Sequence, residues 1–443
     1  MTRVRFAIQP TGHLAVGPAR IALLGFLHAR RHNGQFLLRF DDLEPERSKP
    51  EYVEAIGHDL SWLGITCDSV LRQSERRALY ADAAEKLKLA GRLYPCFESE
   101  EELRAKREQR AKRGLAPVYD RAMLKLTQAQ WEAAEAGGKR PYWRFLLSNR
   151  TVTWQDQIRG ACEVKLTSVS DPILLRADGT PLPALAGVVD DIAMEISDVV
   201  RSEEQLTATG VAIDLRAALG DDRAIPRYAH VPSLADAGNS KLARRIAGRT
   251  VRSLRHDGVE AAALTAYLAR LGTRLPAKIL PLDALAAGFE LSGIAPTQPR
   301  FDATALLALN RDVLRALDFA AVADRLPAGA TEAFWLAVRD ELDLLCEARG
   351  WWDVVAGTIV PPEVPERDFL AAALELLPPE PWNGTVWQDW RDALEQATGR
   401  RGDALSEPLR LALTGEDRGP KLSALLPLIG RARAVNRLQV AAA

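Results

Sequence analysis

The sequence predicts an α/β fold with a largely parallel sheet in its first half, followed by a region of helices. Strand and helix signals alternate from residue 4 to about 90, and the alternation returns from Val188 to about Val231. Such alternation is typical of parallel sheets, whose strands are connected by helices. From about residue 241 helical patterns dominate, and prolines such as Pro361 and Pro381 indicate helix ends rather than a linker.

The first element is a short apolar strand, Val4 to Ile8, followed by a turn over residues 9–12. A long apolar-periodic stretch then predicts a helix, with Pro18 well placed in its first turn. Gly12 and Gly17 remove side-chain bulk where a ligand could approach the backbone. Because the free N–H groups and the dipole of the helix favour an anion such as phosphate, the opening predicts a nucleotide site.

The next elements continue this pattern and then change character. Residues 36–40 form a candidate buried strand, while Glu51 to Leu63 and Arg77 to Ala90 have helical periodicity. The stretch from about 91 to 187 differs, because a charged helix (Glu100 to Arg113) precedes strands that contain tryptophan and arginine. We interpret this stretch as an insertion into the first domain, after which the parallel sheet is completed.

Length and composition limit the class of protein. At 443 residues about three domains are expected, and the 47% apolar and 26% charged residues are ordinary for a folded protein. The net charge of −1 means that a nucleic-acid partner would need local basic patches. The chain begins directly with a strand and has no run long enough to span a bilayer, so we expect a cytoplasmic protein without a membrane partner.

The cysteines argue against a metal or disulfide framework. Their positions are Cys67, Cys96, Cys162 and Cys346. They are far apart and form no Cys-x-x-Cys pair, so neither a zinc ribbon nor a disulfide scaffold is supported. Free thiols are most simply reduced, cytosolic ones. We therefore predict no metal site.

The segment from Arg5 to Arg20 resembles the first signature of class I aminoacyl-tRNA synthetases. It is most similar to glutamyl-tRNA synthetases, whose opening typically reads R-F-A-P-S-P-T-G-x-L-H-x-G. The likeness continues through LRFDDLEPERS (38–48), RQSERRALY, GRLYPC, VVDDIAM and KLARR to PLRLALTG near the end. The resemblance implies a Rossmann-like catalytic domain with an inserted acceptor-end subdomain, followed by an all-α C-terminal anticodon-binding region.

The resemblance also implies a division into five segments. They are the first half of the catalytic domain (1–90), the inserted acceptor-binding subdomain (91–187), the second half of the catalytic domain (188–240), a helical stem-contact region (241–325) and a helical anticodon-binding domain (326–443). The implied activity is the ATP- and Mg²⁺-dependent activation of L-glutamate to glutamyl-adenylate and its transfer to tRNA, expected to be tRNA(Glu). We expect a monomer. Some members carry zinc after the YPC segment, but only Cys96 remains here, so no structural zinc is expected.

The first signature departs from the family pattern at the residue that should carry chemistry. The family supplies a histidine there, whereas Ala15 occupies this position and Pro18 ends the signature. Alanine has no side-chain hydrogen bond to offer a phosphate, and loss of one such donor typically costs about 3–4 kcal/mol, or about 10²–10³ in rate. His13 could reach inward, but an exposed loop histidine is the simpler interpretation.

The second signature, K-L-S-K-R in the family, appears as K-L-A-R-R. The resemblance implies that Lys241 and Arg244 bind the ATP phosphates and serve catalysis, while Gly12 and Gly17 also line the ATP site. Arg244 keeps a positive charge at the lysine position, but a planar guanidinium is not equivalent to a compact ammonium. Ala243 removes a hydroxyl. Without the resemblance, this cluster would be interpreted as a basic helix end on a solvated face.

Two arginines and one aspartate are expected to select the amino acid. A bidentate guanidinium is the natural partner for each carboxylate of glutamate. Arg5 and Arg201 match the carboxylate-binding positions of the family, and Asp41 matches the acidic position that would hold the α-amino group. Pro183 replaces a tyrosine that normally packs over the amino acid. Asp198 replaces a usual histidine, and its charge would repel a nearby glutamate carboxylate.

The sequence also contains two basic runs, Arg104 to Arg113 and Lys241 to Arg255. Both could follow tRNA phosphates through salt-dependent attraction, although a solvated helix face is the alternative for the first run. The departures at the two signatures and at the amino-acid site leave a second function open. In that alternative, the chain is a catalytically impaired paralogue that binds tRNA or a small molecule in a regulatory role.

Overall fold

A computed structural model describes residues 1–235, 250–362, 364–382 and 384–442 of the chain. The chain divides into two compact units. One comprises Met1–Arg252 and Thr265–Ala303, and the other comprises Ser253–Leu264 and Thr304–Ala443. Within the described ranges, no helix combines the length and the apolar character needed to cross a membrane.

Seven strands of the first unit form one sheet. They are β1 (Arg3–Ile8), β2 (Gln35–Phe40), β3 (Ser69–Arg72), β6 (Thr151–Asp156), β7 (Gly160–Lys165), β9 (Asp198–Ser202) and β10 (Arg227–Val231). Their order across the sheet is β3-β2-β1-β9-β10-β6-β7. Neighbouring strands are parallel except for the antiparallel hairpin of β6 and β7, so the predicted, largely parallel sheet is confirmed.

Helices follow and connect these strands. They are α1 (Val16–Arg31), α2 (Pro50–Trp62), α3 (Arg77–Leu89), α4 (Glu100–Lys112), α5 (Gln128–Ala136), α6 (Pro183–Ala193) and α7 (Leu206–Ala218). Proline at the first position starts α2 and α6, where its missing N–H is not needed. Helix α1 packs closely on the sheet, because Gly25 leaves room where a Cβ would lie 3.3 Å from Phe36 and 3.4 Å from Val4.

The connections leave the middle of the sheet in two directions. From β1 the chain passes through α1 and α2 to β2 and β3 on one side, whereas β9 leads through α7 to β10 on the other side. The direction of winding therefore changes between β1 and β9. In open α/β sheets, ligands bind outside the carboxyl ends of the strands at such a switch point.

The stretch 91–187 contributes to two sheets. Strands β4 (Leu93–Cys96), β5 (Tyr142–Phe145) and β8 (Ile173–Leu175) form a separate antiparallel sheet. Strands β6 and β7 instead extend the main sheet, because Asp156 pairs in parallel with Tyr228 of β10. The stretch interpreted as an insertion into the first domain thus also contributes to the main sheet, and one face of β6 is buried in the core of the first unit.

All named elements after β10 in the described ranges are helical. The α-helices are Val251–His256, Ala261–Arg270, Leu282–Ala287, Ala303–Ala316, Glu332–Val338, Ala348–Ala356, Arg367–Glu375, Val386–Thr398, Asp403–Thr414, Leu422–Ile429 and Arg431–Ala442. The core of the second unit contains two completely buried tryptophans, Trp335 and Trp390. Their indole N–H groups donate to the carbonyls of Leu317 and Ala373, each at 3.0 Å. The predicted helical C-terminal region is thus confirmed.

Candidate functional site

A cavity of about 840 Å³ lies at the carboxyl ends of β1 and β9, where the winding of the sheet changes direction. Its walls include the end of β1, the first turns of α1 and α6, the end of β9 and the start of α7. Arg5, Asp41 and Arg201, which the sequence predicts to select the amino acid, all line this cavity. Pro18 and Pro183 line it as well. The fold therefore brings together five predicted positions from distant parts of the chain.

Arg5 points into the cavity wall and is already paired. Its Nε and Nη2 donate to Oδ1 and Oδ2 of Asp191 in α6, at 3.0 and 3.1 Å. Such a two-point pair fixes the orientation of the guanidinium. Arg5 is only 7% exposed, so the protein compensates its charge internally.

Arg39 of β2 connects the two acidic groups of this wall. Its Nε and Nη2 donate to the carboxylate of Asp41 at 2.6 and 3.2 Å, and its Nη1 donates to Asp191 at 3.0 Å. Burial disfavours the charge of Asp191, but Arg5 and Arg39 outweigh this effect and hold the pKa of its carboxyl below the ordinary value. The four groups form one buried network of alternating charge.

Arg201 differs from both of these arginines, because it forms no ion pair in the described part of the chain. Its Nη2 donates to the hydroxyl of Thr209, its Nε lies 3.4 Å from Nε2 of His230, and its guanidinium lies 5.4 Å from the ring centre of Tyr228. Burial lowers the pKa of Arg201 to about 10, so the side chain stays charged at neutral pH. A half-buried guanidinium held by neutral groups is suited to bind the carboxylate of a ligand.

Asp198, whose charge would repel a glutamate carboxylate only at close range, does not line the cavity. It is the first residue of β9, opposite Val4, whereas the cavity lies at the other end of this strand. Its carboxylate contacts His28 at 3.0 Å, Arg227 at 2.8 Å and Ser197 at 2.7 Å. Burial opposes its ionisation, but these hydrogen bonds lower the pKa of Asp198 to about 2. The charge is therefore compensated within the protein.

The opening loop leaves space beside its two glycines. A Cβ placed on Gly12 or Gly17 would meet no heavy atom within 4 Å. Helix α1 begins at Val16, and Ala15 precedes it in an extended conformation without a side-chain cap. The first turn of a helix leaves N–H groups without intrahelical partners, which favours an anion at this point. The loop can thus accept a phosphate close to its backbone.

The first signature also contacts the segment that begins at residue 250. Ala15 pairs with Thr250 in an antiparallel bridge, and the N–H of Val251 donates to the carbonyl of Leu14 at 2.8 Å. His13 is exposed and lies beside Arg252, with 3.4 Å between Nε2 and Nη1, and it does not line the cavity. The simpler interpretation of His13 as an exposed loop residue agrees with this position.

The predicted second signature lies outside the described residues. This applies to Lys241, Ala243 and Arg244. Their predicted contacts with ATP therefore stay a prediction. Thr250, which follows them in the sequence, is the nearest described residue on that side, and it pairs with Ala15 of the first signature.

The polar groups around Cys96 are occupied by one another. The Tyr119 hydroxyl donates to Glu98 at 2.6 Å, Lys106 pairs with the same carboxylate, and the Cys96 sulfur lies 3.9 Å from the Tyr119 oxygen. Burial raises the pKa of the Cys96 thiol to about 12. The described residues contain no cluster of three side chains suited to a metal.

Sequence reasoning missed the partners that hold the predicted arginines. Asp191, Arg39, Thr209 and His230 were not singled out, although Asp191 belongs to the VVDDIAM segment. Two adjacent acids in an otherwise apolar helix were an available signal, since buried carboxylates need partners. Their partners, however, come from other strands and could not be read from spacing.

Comparisons with known proteins agree with this arrangement. A family model described as "tRNA synthetases class I (E and Q), catalytic domain" matches residues 1–282, and an "Anticodon binding domain" model matches residues 364–442. "Glutamate--tRNA ligase 2" of Acidiphilium cryptum is 56% identical over 443 residues, with both chains fully covered. The protein of the same name from Granulibacter bethesdensis is 54% identical, covering 99% of this chain and 98% of its own length.

A solved structure supports the fold independently of close sequence similarity. The glutamate tRNA ligase of Elizabethkingia meningosepticum aligns with a TM-score of 0.82 at 24% identity, covering 100% of this chain and 99% of its own. At this identity the likeness concerns the fold alone. The family model, by contrast, matches well over half of the chain. The chain belongs to the family of class I tRNA synthetases for E and Q.

Proposed function

We propose that the chain is a glutamate–tRNA ligase. It would join the carboxylate of glutamate to the α-phosphate of ATP, release diphosphate, and pass the glutamyl group to the 3′ end of tRNA(Glu). The names of relatives that are 56%, 54% and 51% identical support this activity. The observation that carries the proposal is the cavity at the switch point, in which Arg201 keeps its charge without an ion-pair partner in the described part of the chain.

The amino acid would bind between Arg201, Arg5 and Asp41. Arg201 would bind one carboxylate of glutamate, because its charge is not compensated by a described acidic group. Arg5 would contribute hydrogen bonds more than net charge, since Asp191 already neutralises it. Asp41 would attract the α-ammonium group, and Arg39 orients its carboxylate through two hydrogen bonds.

ATP would bind beside the opening loop and the start of α1. Of the first-turn residues of α1, Pro18 has no N–H and Ala19 donates to the carbonyl of Ala15 at 3.0 Å, so the N–H groups of Val16 and Gly17 would be the ones that bind a phosphate. Lys241 and Arg244 would bind phosphates from the second signature. Mg²⁺ would arrive with the triphosphate and neutralise part of its charge, because it usually binds through substrate phosphates and only one or two carboxylates.

The reaction would be slower than with a complete first signature. Negative charge builds up at the α-phosphate in the transition state, and donors aimed at that charge supply much of the rate enhancement. Ala15 has no donor, whereas the amide groups of α1 and the basic second signature still supply positive potential. The side chains of the cavity would mainly position the carboxylate for attack on the phosphorus.

The second unit would bind the tRNA. The anticodon-domain match over residues 364–442 supports an interaction with tRNA through this helical region. We expect the ligase to act as a monomer in the cytoplasm, as proposed from the sequence.

The test is ATP–diphosphate exchange with glutamate, with and without tRNA, followed by charging of tRNA(Glu). We expect exchange and charging that depend on glutamate and are not supported by aspartate. Ala15→His should raise kcat by up to about 10²-fold, because it returns one donor to the phosphates. Ala15→Val is the control, since it adds bulk without a donor and should not raise kcat. Bound tRNA without exchange or charging would instead favour the impaired paralogue.

A further inference from the structure

His230 is completely buried beside Arg201, and a carboxylate holds it from the other side. The two residues are direct neighbours in the parallel register of β10 and β9. Nδ1 of His230 lies 2.5 Å from Oδ2 of Asp156. Oδ1 of Asp156 accepts hydrogen bonds from the backbone N–H groups of Ile158, Arg159 and His230 at 3.0, 3.0 and 3.2 Å. The carboxylate is thus fixed by the backbone.

The two ends of this network determine the direction of every hydrogen bond in it. A guanidinium can only donate, and an ionised carboxylate can only accept. Arg201 Nη2 donates to Thr209 Oγ1, which in turn lies 2.7 Å from His230 Nε2. The Nε of Arg201 also donates towards His230 Nε2, at 3.4 Å, so Nε2 is an acceptor and Nδ1–H donates to Asp156. The single Thr209 proton then goes to Nε2 rather than to the carbonyl of Gln205, which is farther away at 3.2 Å. Only a neutral His230 protonated at Nδ1 satisfies the whole relay.

The charged groups around His230 favour this neutral form. Arg201 faces it from β9, Asp156 from β6, and Arg159 from the turn after β6, while the ring of Tyr228 stacks at 6.2 Å. Burial lowers the pKa of His230, and the two arginines lower it further, against the opposing effect of Asp156. A protonated His230 would place a second cation against Arg201 and remove the acceptor towards which Arg201 Nε and the Thr209 hydroxyl both point.

We propose that Thr209, His230 and Asp156 form a relay that positions Arg201 to bind a carboxylate of glutamate. The inference rests on the proposed function, since it assigns Arg201 to the substrate. The relay holds Arg201 through neutral groups. The carboxylate of Asp156 is separated from Arg201 by Thr209 and His230. Arg5, in contrast, is held directly by Asp191 and has little net charge to offer. The relay thus orients a guanidinium without neutralising it.

The test compares variants that break the relay with a matched control. Thr209→Val and His230→Asn should each raise the KM for glutamate by about tenfold, the effect of one lost hydrogen bond to a charged group. The KM for ATP and kcat should change by less than about twofold, because Arg201 would bind glutamate equally well in the ground state and in the transition state. Thr398→Val is the control, because its hydroxyl, like that of Thr209, faces the carbonyl four residues earlier, but it is not part of the relay.

Two further measurements separate positioning from general support of the fold. His230→Gln places an amide oxygen near the position of Nε2, so its KM for glutamate should lie below that of His230→Asn. The wild-type KM for glutamate should rise as the pH falls below the ordinary histidine range, because His230 becomes protonated. The KM of His230→Gln should not follow this rise. Thermal unfolding verifies that each variant is folded. If His230→Asn does not fold, the test is made with Thr209→Val alone.

The outcomes distinguish this inference from the proposed function. If the wild type shows neither exchange nor charging that depends on glutamate, the proposed function is wrong. The relay proposal then fails as well, because it assigns Arg201 to glutamate. An active wild type with an unchanged KM for glutamate in Thr209→Val would overturn the relay alone. A lower kcat in Thr209→Val together with equal increases in the KM values for glutamate and ATP would also overturn it, because these changes would indicate a purely structural role.

Discussion

The guanidinium of Arg5 and the carboxylate of Asp191 form a two-point ion pair across 186 positions of the chain, with distances of 3.0 and 3.1 Å. Arg39 donates to the same carboxylate at 3.0 Å. One acidic side chain of α6 therefore holds arginines from β1 and β2. This contact sets the shape of the cavity wall on which the amino acid is proposed to bind.

Replacing Asp191 with asparagine should reduce both stability and substrate binding. The change keeps the shape but leaves two buried guanidinium groups without their shared anion, which costs about 3–5 kcal/mol. We expect a decrease of that size in the free energy of unfolding, measured with urea, and a higher KM for glutamate. Glu195→Gln is the control, because this carboxylate is 68% exposed in its pair with Arg3, and the change should cost less than about 1 kcal/mol.

The same pair should make the protein sensitive to acid. The pKa of Asp191 is lowered in the folded state, so its contribution to stability is complete above the unfolded value of about 3.9. That contribution should be lost as the pH falls below this value through the folded pKa. Urea unfolding of the wild type and Asp191→Asn between about pH 5 and pH 3 measures the effect. The difference between their free energies of unfolding should become smaller as the pH falls. A difference in the free energy of unfolding that stays constant with pH would contradict the lowered pKa of Asp191.

Asp198 should affect stability without affecting the amino-acid site. Asp198→Asn leaves His28 and Arg227 without their carboxylate, and the buried position makes this costly, by about 3 kcal/mol. The KM for glutamate should not change, because Asp198 does not line the cavity. Urea unfolding and charging kinetics measure the two effects. A changed KM with unchanged stability would place Asp198 in the substrate site after all.

Local elements could be predicted from the sequence because their signals are local. Residues 36–40 form the predicted buried strand, and the helical periodicity of Arg77 to Ala90 corresponds to α3. The position of β6 in the main sheet could not be predicted in the same way. Its pairing with β10 joins Asp156 to Tyr228, which are far apart in sequence and carry no common pattern.

For the candidate site too, the sequence indicates single positions but not their tertiary contacts. The family resemblance matched Arg5 and Arg201 to carboxylate-binding positions, and both line the cavity. It did not identify their partners, because the choice between Asp191 for one arginine and His230 for the other depends on tertiary contacts. The sequence also left open how close Asp198 lies to the amino acid, and its carboxylate lies at the other end of β9 from the cavity. A motif identifies a position along a strand, but only the sheet shows which end of the strand faces the ligand.

Gly17 provides a test of the ATP site that does not depend on stability. A Cβ at Gly17 would meet only open space, so Gly17→Ala should fold with unchanged or slightly higher stability. If a phosphate approaches this backbone, the methyl group should raise the KM for ATP by about tenfold, the cost of an overpacked contact. Gly57→Ala in α2 is the control, because its Cβ also meets open space but Gly57 belongs neither to the opening loop nor to the first turn of α1. An unchanged KM for ATP in Gly17→Ala would exclude this approach.

The basic run of α4 provides a test of tRNA binding. Arg104 and Arg107 are exposed and form no ion pair among the described residues, whereas Lys106 pairs with Glu98. If both arginines contact tRNA phosphates, the double change to glutamine should weaken binding and reduce the slope of log K against log salt by about 2. Filter binding between about 50 and 200 mM salt measures this slope. Arg223→Gln is the control, because this arginine already pairs with an acidic residue. An unchanged slope in the double variant would mean that this face of α4 is only solvated.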